Sequence, residues 1–151
     1  MAPSFACTRP VNPSGTDLDL TGAQVWKGLE MKARRPDLFV PAITSCEVIK
    51  DEGNKVSRLV AFNGREKQQE DIELYDNAVI YFDFADLPFR VLNILSYGPS
   101  GELLLTYAFS NGIPGYDEDG TKTVEDRNNM VGKIIDHSVS VIRVLAKDGR
   151  L

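Results

Sequence analysis

Glu47 and Arg58 are the first side chains in this sequence whose types and spacing suggest chemistry. A four-residue turn at 51–54 pairs Lys50 with Lys55, and counting outward sets Glu47 directly opposite Arg58 on one face of a hairpin. Facing a cavity, such a desolvated carboxylate and guanidinium would orient a polar substrate, with Glu47 as a general base. Facing water, they would be a cross-strand ion pair worth ~0–1 kcal/mol. The alternate face carries Cys46, Val48, Leu59 and Ala61 and is the more apolar of the two, so both facings stay open.

A second group lies further along. A turn at 98–101 sets Tyr97 against Glu102 and puts Leu92, Ile94 and Ser96 on the same face as Leu103, Leu105 and Tyr107. A turn at 85–88 brings Tyr81 beside Leu92 and sets Asp83 opposite Arg90. Tyr81, Asp83, Arg90 and Tyr107 then form a polar streak in an apolar wall of Leu92, Ile94 and Leu105, the composition of a pocket in which a few donors orient a greasy ligand. Tyr81 and Tyr107 join Glu47 and Arg58 as catalytic candidates. One bulge would reverse the facing.

His137, the single histidine, falls about 90° from the middle of a helical apolar stripe, which puts it either at a cavity mouth or in solvent beside Asp136. No nucleophile accompanies it, so no triad is indicated. Trp26 is a packing anchor or one wall of a ligand chamber, and Phe39 is an inward anchor. Ile134, Ser138 and Val141 lie on the chamber-facing side of the last helix.

Other chemistries find no support. The two cysteines, Cys7 and Cys46, form no CxxC pair, and with one histidine they cannot assemble a four-ligand zinc site, so no metal is expected. Asp117, Asp119 and Gly120 imitate a calcium loop, but its first position would be Gly115 and its twelfth Asp126 where a bidentate glutamate is required. Gly98-Pro99-Ser100-Gly101 precedes a strand and not a helix, so it is no phosphate cradle. A net charge of −5 argues against nucleic acid as a partner. With 42% hydrophobic and 26% charged residues in 151, the chain has the material for one folded domain over 1–151. The sequence shows no leader and no run long enough to span a membrane, so the expectation is a soluble cytoplasmic protein, with a homodimer left open.

The elements that must position these residues follow from period and punctuation. A strand is predicted over 5–11, then a loop at Asn12-Pro13-Ser14-Gly15. Thr21 and Gln24 have capping-box spacing, and Val25, Trp26, Leu29 and Ala33 make a helical stripe, predicting a helix from Gly22 to Arg35. One helical turn follows at 37–40. Six strands at 43–50, 55–62, 67–75, 78–84, 89–97 and 102–110 are separated by connections too short for parallel crossovers, so they are antiparallel. The acidic, glycine-bearing stretch 111–123 is predicted to be a mobile surface loop, with a role as a lid left open. Met130, Val131, Ile134, Ile135, Ser138, Val141, Ile142 and Leu145 recur at helical steps, predicting a terminal helix over 124–147 of about 35 Å, long enough to cross the sheet.

This order resembles the START-like, birch-pollen-allergen-like superfamily SRPBCC. The resemblance implies an α+β helix-grip fold: a seven-stranded curved antiparallel sheet wrapped around a long C-terminal helix, with two short helices after the first strand and a cavity between sheet and helix. A narrower resemblance rests on Leu20-Thr21-Gly22-Ala23-Gln24-Val25-Trp26-Lys27-Gly28-Leu29, Lys32-Ala33-Arg34-Arg35-Pro36, Phe39-Val40-Pro41 and Ser45-Cys46-Glu47-Val48. These stretches are similar to the branch named for protein L of the acetylaranotin biosynthetic cluster, which supplies no catalytic residues to carry over. The resemblance implies a cofactor-independent enzyme that cyclises or isomerises a small hydrophobic or aromatic metabolite. A non-catalytic carrier of such a metabolite is the alternative.

Overall fold

Thr21 starts the first helix as its spacing predicts. Its hydroxyl accepts from the Gln24 N–H at 3.2 Å while the Gln24 side chain accepts from the Thr21 N–H at 2.9 Å, a complete capping box. The computed structural model describes residues 2–151. In chain order the elements are β1 (Phe5–Pro10), α1 (Gly22–Arg34), a 3-10 turn (Pro36–Leu38), β2 (Ile43–Asp51), β3 (Lys55–Phe62), β4 (Gln68–Tyr75), β5 (Val79–Phe84), β6 (Arg90–Tyr97), β7 (Leu103–Ser110) and α2 (Val124–Lys147). A second capping box, between Thr123 and Asp126, opens α2.

The strands form one antiparallel sheet in the order β1-β7-β6-β5-β4-β3-β2. Both helices lie on its concave face. α2 buries Val131, Ile135, Val139, Ile142 and Leu145 against β1, β7 and α1, and α1 contributes Val25, Trp26, Leu29 and Ala33. The helices approach closely at Gly28, where an added Cβ would stand 2.5 Å from Ile142 Cγ1. This is the helix-grip architecture. Among the described residues, no helix is long and apolar enough to cross a membrane.

Two registers differ from expectation, each by one residue. In the first hairpin the turn lies further along, with Asp51 opposite Val56, and a bulge at Ile49 then leaves Glu47 opposite Leu59 and Val48 opposite Arg58. In the last hairpin, Gly101 at φ +80° donates its N–H to the Gly98 carbonyl at 2.9 Å, and Gly98 donates to the Glu102 carbonyl at 2.8 Å. That loop sets Tyr97 opposite Leu103 instead of Glu102, so Asn93, and not Leu92, stands beside Tyr107. Because strand side chains alternate faces, a slip of one residue moves a whole set to the other side. The 111–123 segment also departs from a free surface loop. Asp117 is buried and accepts from Arg127 Nη1 and the Lys122 N–H, both at 2.8 Å, while Ile113 is 5% exposed.

Candidate functional site

Four largely apolar stripes each carry one buried polar residue, and the fold brings these four together. On α1, Lys32 follows Val25 and Leu29 on the inward stripe; on β3, Arg58 alternates with Val56 and Val60; on β4, Glu70 alternates with Ile72 and Leu74; on β6, Asn93 alternates with Val91 and Leu95. All four are at most 8% exposed, as is Tyr107 on β7. They line one end of a partly open hollow of about 230 Å³ whose other walls include Ile43, Phe62, Phe82, Phe84, Val91, Phe109, Ile113, Met130 and Ile134. That volume lies just below the ~300–1,000 Å³ of pockets for drug-sized ligands, so its occupant is small.

The polar end is ordered by hydrogen bonds. Arg58 Nε and Nη2 both reach Glu70 Oε2 at 2.9 Å, a pairing set by the direct opposition of these residues in the β3–β4 ladder. Arg58 Nη1 donates to the carbonyls of Lys32 (3.1 Å) and Ala33 (2.7 Å), so the same guanidinium satisfies the end of α1. Lys32 Nζ donates to Asn93 Oδ1 at 2.8 Å and sits 4.7 Å and 5.1 Å from the ring centres of Tyr107 and Phe82. Burial, reinforced by the Arg58 charge and only partly opposed by Glu70, brings the Lys32 amine down to about 7. Asn93 Nδ2 and the Tyr107 and Ser138 hydroxyls are buried without a partner. Burial drives the Tyr107 phenol well above its ordinary value, an effect the nearby Ser138 hydroxyl offsets only in part, so it is a neutral donor. A carbonyl oxygen entering here would meet donors from the amine, the amide and the phenol, while its carbon skeleton lay against aromatic and aliphatic walls.

Of the residues singled out from sequence, Arg58, Tyr107 and Ile134 line this hollow. The structure places the others elsewhere. Glu47 is exposed on the edge strand, since the bulge removes it from Arg58. Tyr81, Asp83, Arg90, Leu92 and Ile94 do share a face, with Asp83 opposite Arg90 and Tyr81 opposite Leu92 as counted. That face is the convex one, because the slipped β6–β7 register reverses it relative to Tyr107. There Arg90 Nε bonds Asp83 Oδ1 at 2.6 Å and its guanidinium lies 4.9 Å from the Tyr81 ring centre. Glu73, Tyr75, Val79, Tyr81 and Arg90 outline an outer groove of about 380 Å³, larger than the hollow but half polar and open, so it cannot desolvate a ligand. Trp26, Phe39 and Leu105 are packed into the core instead of lining the hollow, and Val141 packs partly buried against it. Ser138 is buried beside Tyr107, and His137, one residue earlier, points to solvent. Lys32, Glu70 and Asn93 were missed, although each interrupts an apolar period.

A sheet gripping a terminal helix beside a hollow defines a protein of the helix-grip fold. Residues 5–149 match the family model of acetylaranotin biosynthesis cluster protein L, and the chain belongs to that family. Solved structures share the fold. The di-domain ARO/CYC StfQ from the steffimycin biosynthetic pathway is 9% identical with a TM-score of 0.63, over 96% of this chain and 51% of that one, so the chain spans about half of StfQ. TTHA0849 from Thermus thermophilus is 15% identical with a TM-score of 0.60, over 94% and 98% of the two chains. Ara h 8.0201 is 12% identical with a TM-score of 0.58, over 93% and 97%. At these identities the likeness concerns the fold alone. None of the curated proteins matches the chain.

Proposed function

We propose that this protein is an enzyme of secondary metabolism that binds a small hydrophobic metabolite in the inner hollow and cyclises or isomerises it without a cofactor. The observation that carries the reading is the Lys32–Asn93 and Arg58–Glu70 cluster at the end of an otherwise apolar cavity. Packing has no need of it, since ion pairs buried at this depth contribute little net stability compared with apolar side chains of the same size. Cyclisation asks for a held conformer plus one acid–base group, and confinement by itself can remove several kcal/mol from such a barrier. Membership in a biosynthetic-cluster family and the fold shared with an ARO/CYC protein support the same class of reaction.

Native mass spectrometry of the purified protein mixed with extracts of its producing cells tests this. The expected result is capture of a small apolar compound and release of an isomer or a dehydrated product of it. Release of the unchanged compound would replace catalysis with carriage, and failure to retain any compound would remove the ligand chamber.

A further inference from the structure

Among the described residues Lys32 is the one buried lysine; the other seven are exposed. An ammonium has three protons to place. Here the side chain has a single hydrogen-bond acceptor, Asn93 Oδ1, and two aromatic faces, with the Arg58 guanidinium nearby. Such a site suits a neutral amine, which keeps one donated hydrogen bond and a free lone pair. An amine desolvated in an apolar pocket beside another cation is the arrangement that makes lysine a nucleophile toward carbonyl carbon. The unpartnered Asn93 Nδ2 stands in the same wall, able to receive a carbonyl oxygen.

We propose that Lys32 forms a covalent imine with the carbonyl carbon of an aldehyde or ketone held in this cavity, which makes a carbonyl compound the substrate class of the reaction inferred above and rests on that reading. The amine lone pair forms the N–C bond, and one amine proton moves to the carbonyl oxygen to give a carbinolamine. The C–O bond then breaks and water leaves with that hydroxyl and the second amine proton, giving the neutral imine. Protonated at nitrogen, the imine accepts the electron pair of an adjacent C–H bond to become an enamine. The proton goes to Glu70, the only carboxylate lining the cavity among the described residues. The enamine carbon attacks a second carbonyl carbon of the same molecule, whose π pair goes to its oxygen and takes the proton from Glu70, closing the ring and regenerating the protonated imine; or a conjugated enamine takes that proton back at its far carbon, which isomerises the molecule. Water then hydrolyses the imine and restores the amine.

Reductive trapping tests this on the intact protein. Wild-type protein is treated at pH 7 with benzaldehyde and cyanoborohydride, and benzylated lysines are located by peptide mass mapping. At that pH about half of Lys32 is neutral, against roughly one part in a few thousand of an exposed lysine, about a thousandfold difference in reactive amine. Labelling of Lys32 at least tenfold above the mean of the exposed lysines, suppressed by excess acetophenone and absent in a folded Lys32→Arg variant, is the expected outcome. Should that variant not fold, the wild-type map and the competition decide. Labelling of Lys32 no faster than the exposed lysines, while benzaldehyde still shifts the methyl NMR signals of Ile43, Ile113 and Met130, overturns the imine and leaves the ligand chamber standing. Neither label nor shift overturns both.

Discussion

Raising the pH from 7 to 8.5 is expected to stabilise this protein, and Lys32 is the reason. Unfolded, its amine titrates near the ordinary value of about 10.4; folded, burial and the Arg58 charge, against the smaller pull of Glu70, bring it to about 7. Below the folded value both states carry the proton, and the penalty for burying a charge is fully present. Between the two values the folded chain has released a proton that the unfolded chain keeps. The unfolded state binds more protons there, so stability rises with pH. Integrating that difference for Lys32 from pH 7 to 8.5 gives between about 1 and 2 kcal/mol at 25 °C. With a urea dependence of ~1–3 kcal/mol per molar, the unfolding midpoint should rise by roughly 0.5–1.5 M. The window stops there because burial also raises the Cys7 and Cys46 thiols, so at higher pH the unfolded chain loses thiol protons first and the slope turns down. The assay is urea unfolding of wild type and Lys32→Met at matched ionic strength across the window. The variant keeps every other titrating group, so its profile should be flat by comparison, whatever its absolute stability. Parallel profiles for the two proteins would refute the assignment of a depressed amine to Lys32.

Three further perturbations probe the fold around it. Glu70→Gln leaves the Arg58 guanidinium buried without its counter-ion and should cost about 3–5 kcal/mol in urea unfolding, as breaking a buried pair does. Gly28→Ala drives a Cβ into Ile142 at the α1–α2 crossing and should cost about 1–3 kcal/mol; combined with Ile142→Ala, the loss should be smaller than the sum of the two, since both act on one contact. On the convex face, Asp83→Ala removes a partly exposed ion pair and should change stability by under about 1 kcal/mol. The same variant should leave benzaldehyde-induced shifts of the cavity methyls unchanged, because the Asp83–Arg90 pair lies on the far side of the sheet.

The secondary structure was legible because its signals are local. Capping spacing at Thr21, the period of Val25 and Leu29, turn residues between short β-branched runs, and the long stripe from Val131 to Leu145 each report on neighbours a few residues away. Pairing within β5–β6 was legible for the same reason, and Asp83 does stand opposite Arg90. What could not be read was which face turns inward. The bulge at Ile49 and the added residue after Gly101 each move a register by one, and a shift of one exchanges the two faces of every strand beyond it. Tyr81, Asp83 and Arg90 were thus grouped correctly with one another and placed on the wrong side of Tyr107.

A different argument finds the site without any count across turns. Within one strand, parity alone shows that Glu70 shares a face with Ile72 and Leu74, that Arg58 shares one with Val56 and Val60, and that Asn93 shares one with Val91 and Leu95. Lys32 falls on the stripe of Val25 and Leu29 by helical spacing. Four elements each spoil a largely apolar face with a polar residue between apolar ones, and groups of opposite charge buried on facing strands must meet or remain unpaired at several kcal/mol each. Arg58 and Glu70 meet. Lys32 has no carboxylate of its own and is left with an amide and two rings, a placement that folding disfavours relative to methionine or leucine at the same position. The amine is therefore the feature of this interior that stability explains least and that a reaction with a carbonyl compound explains best.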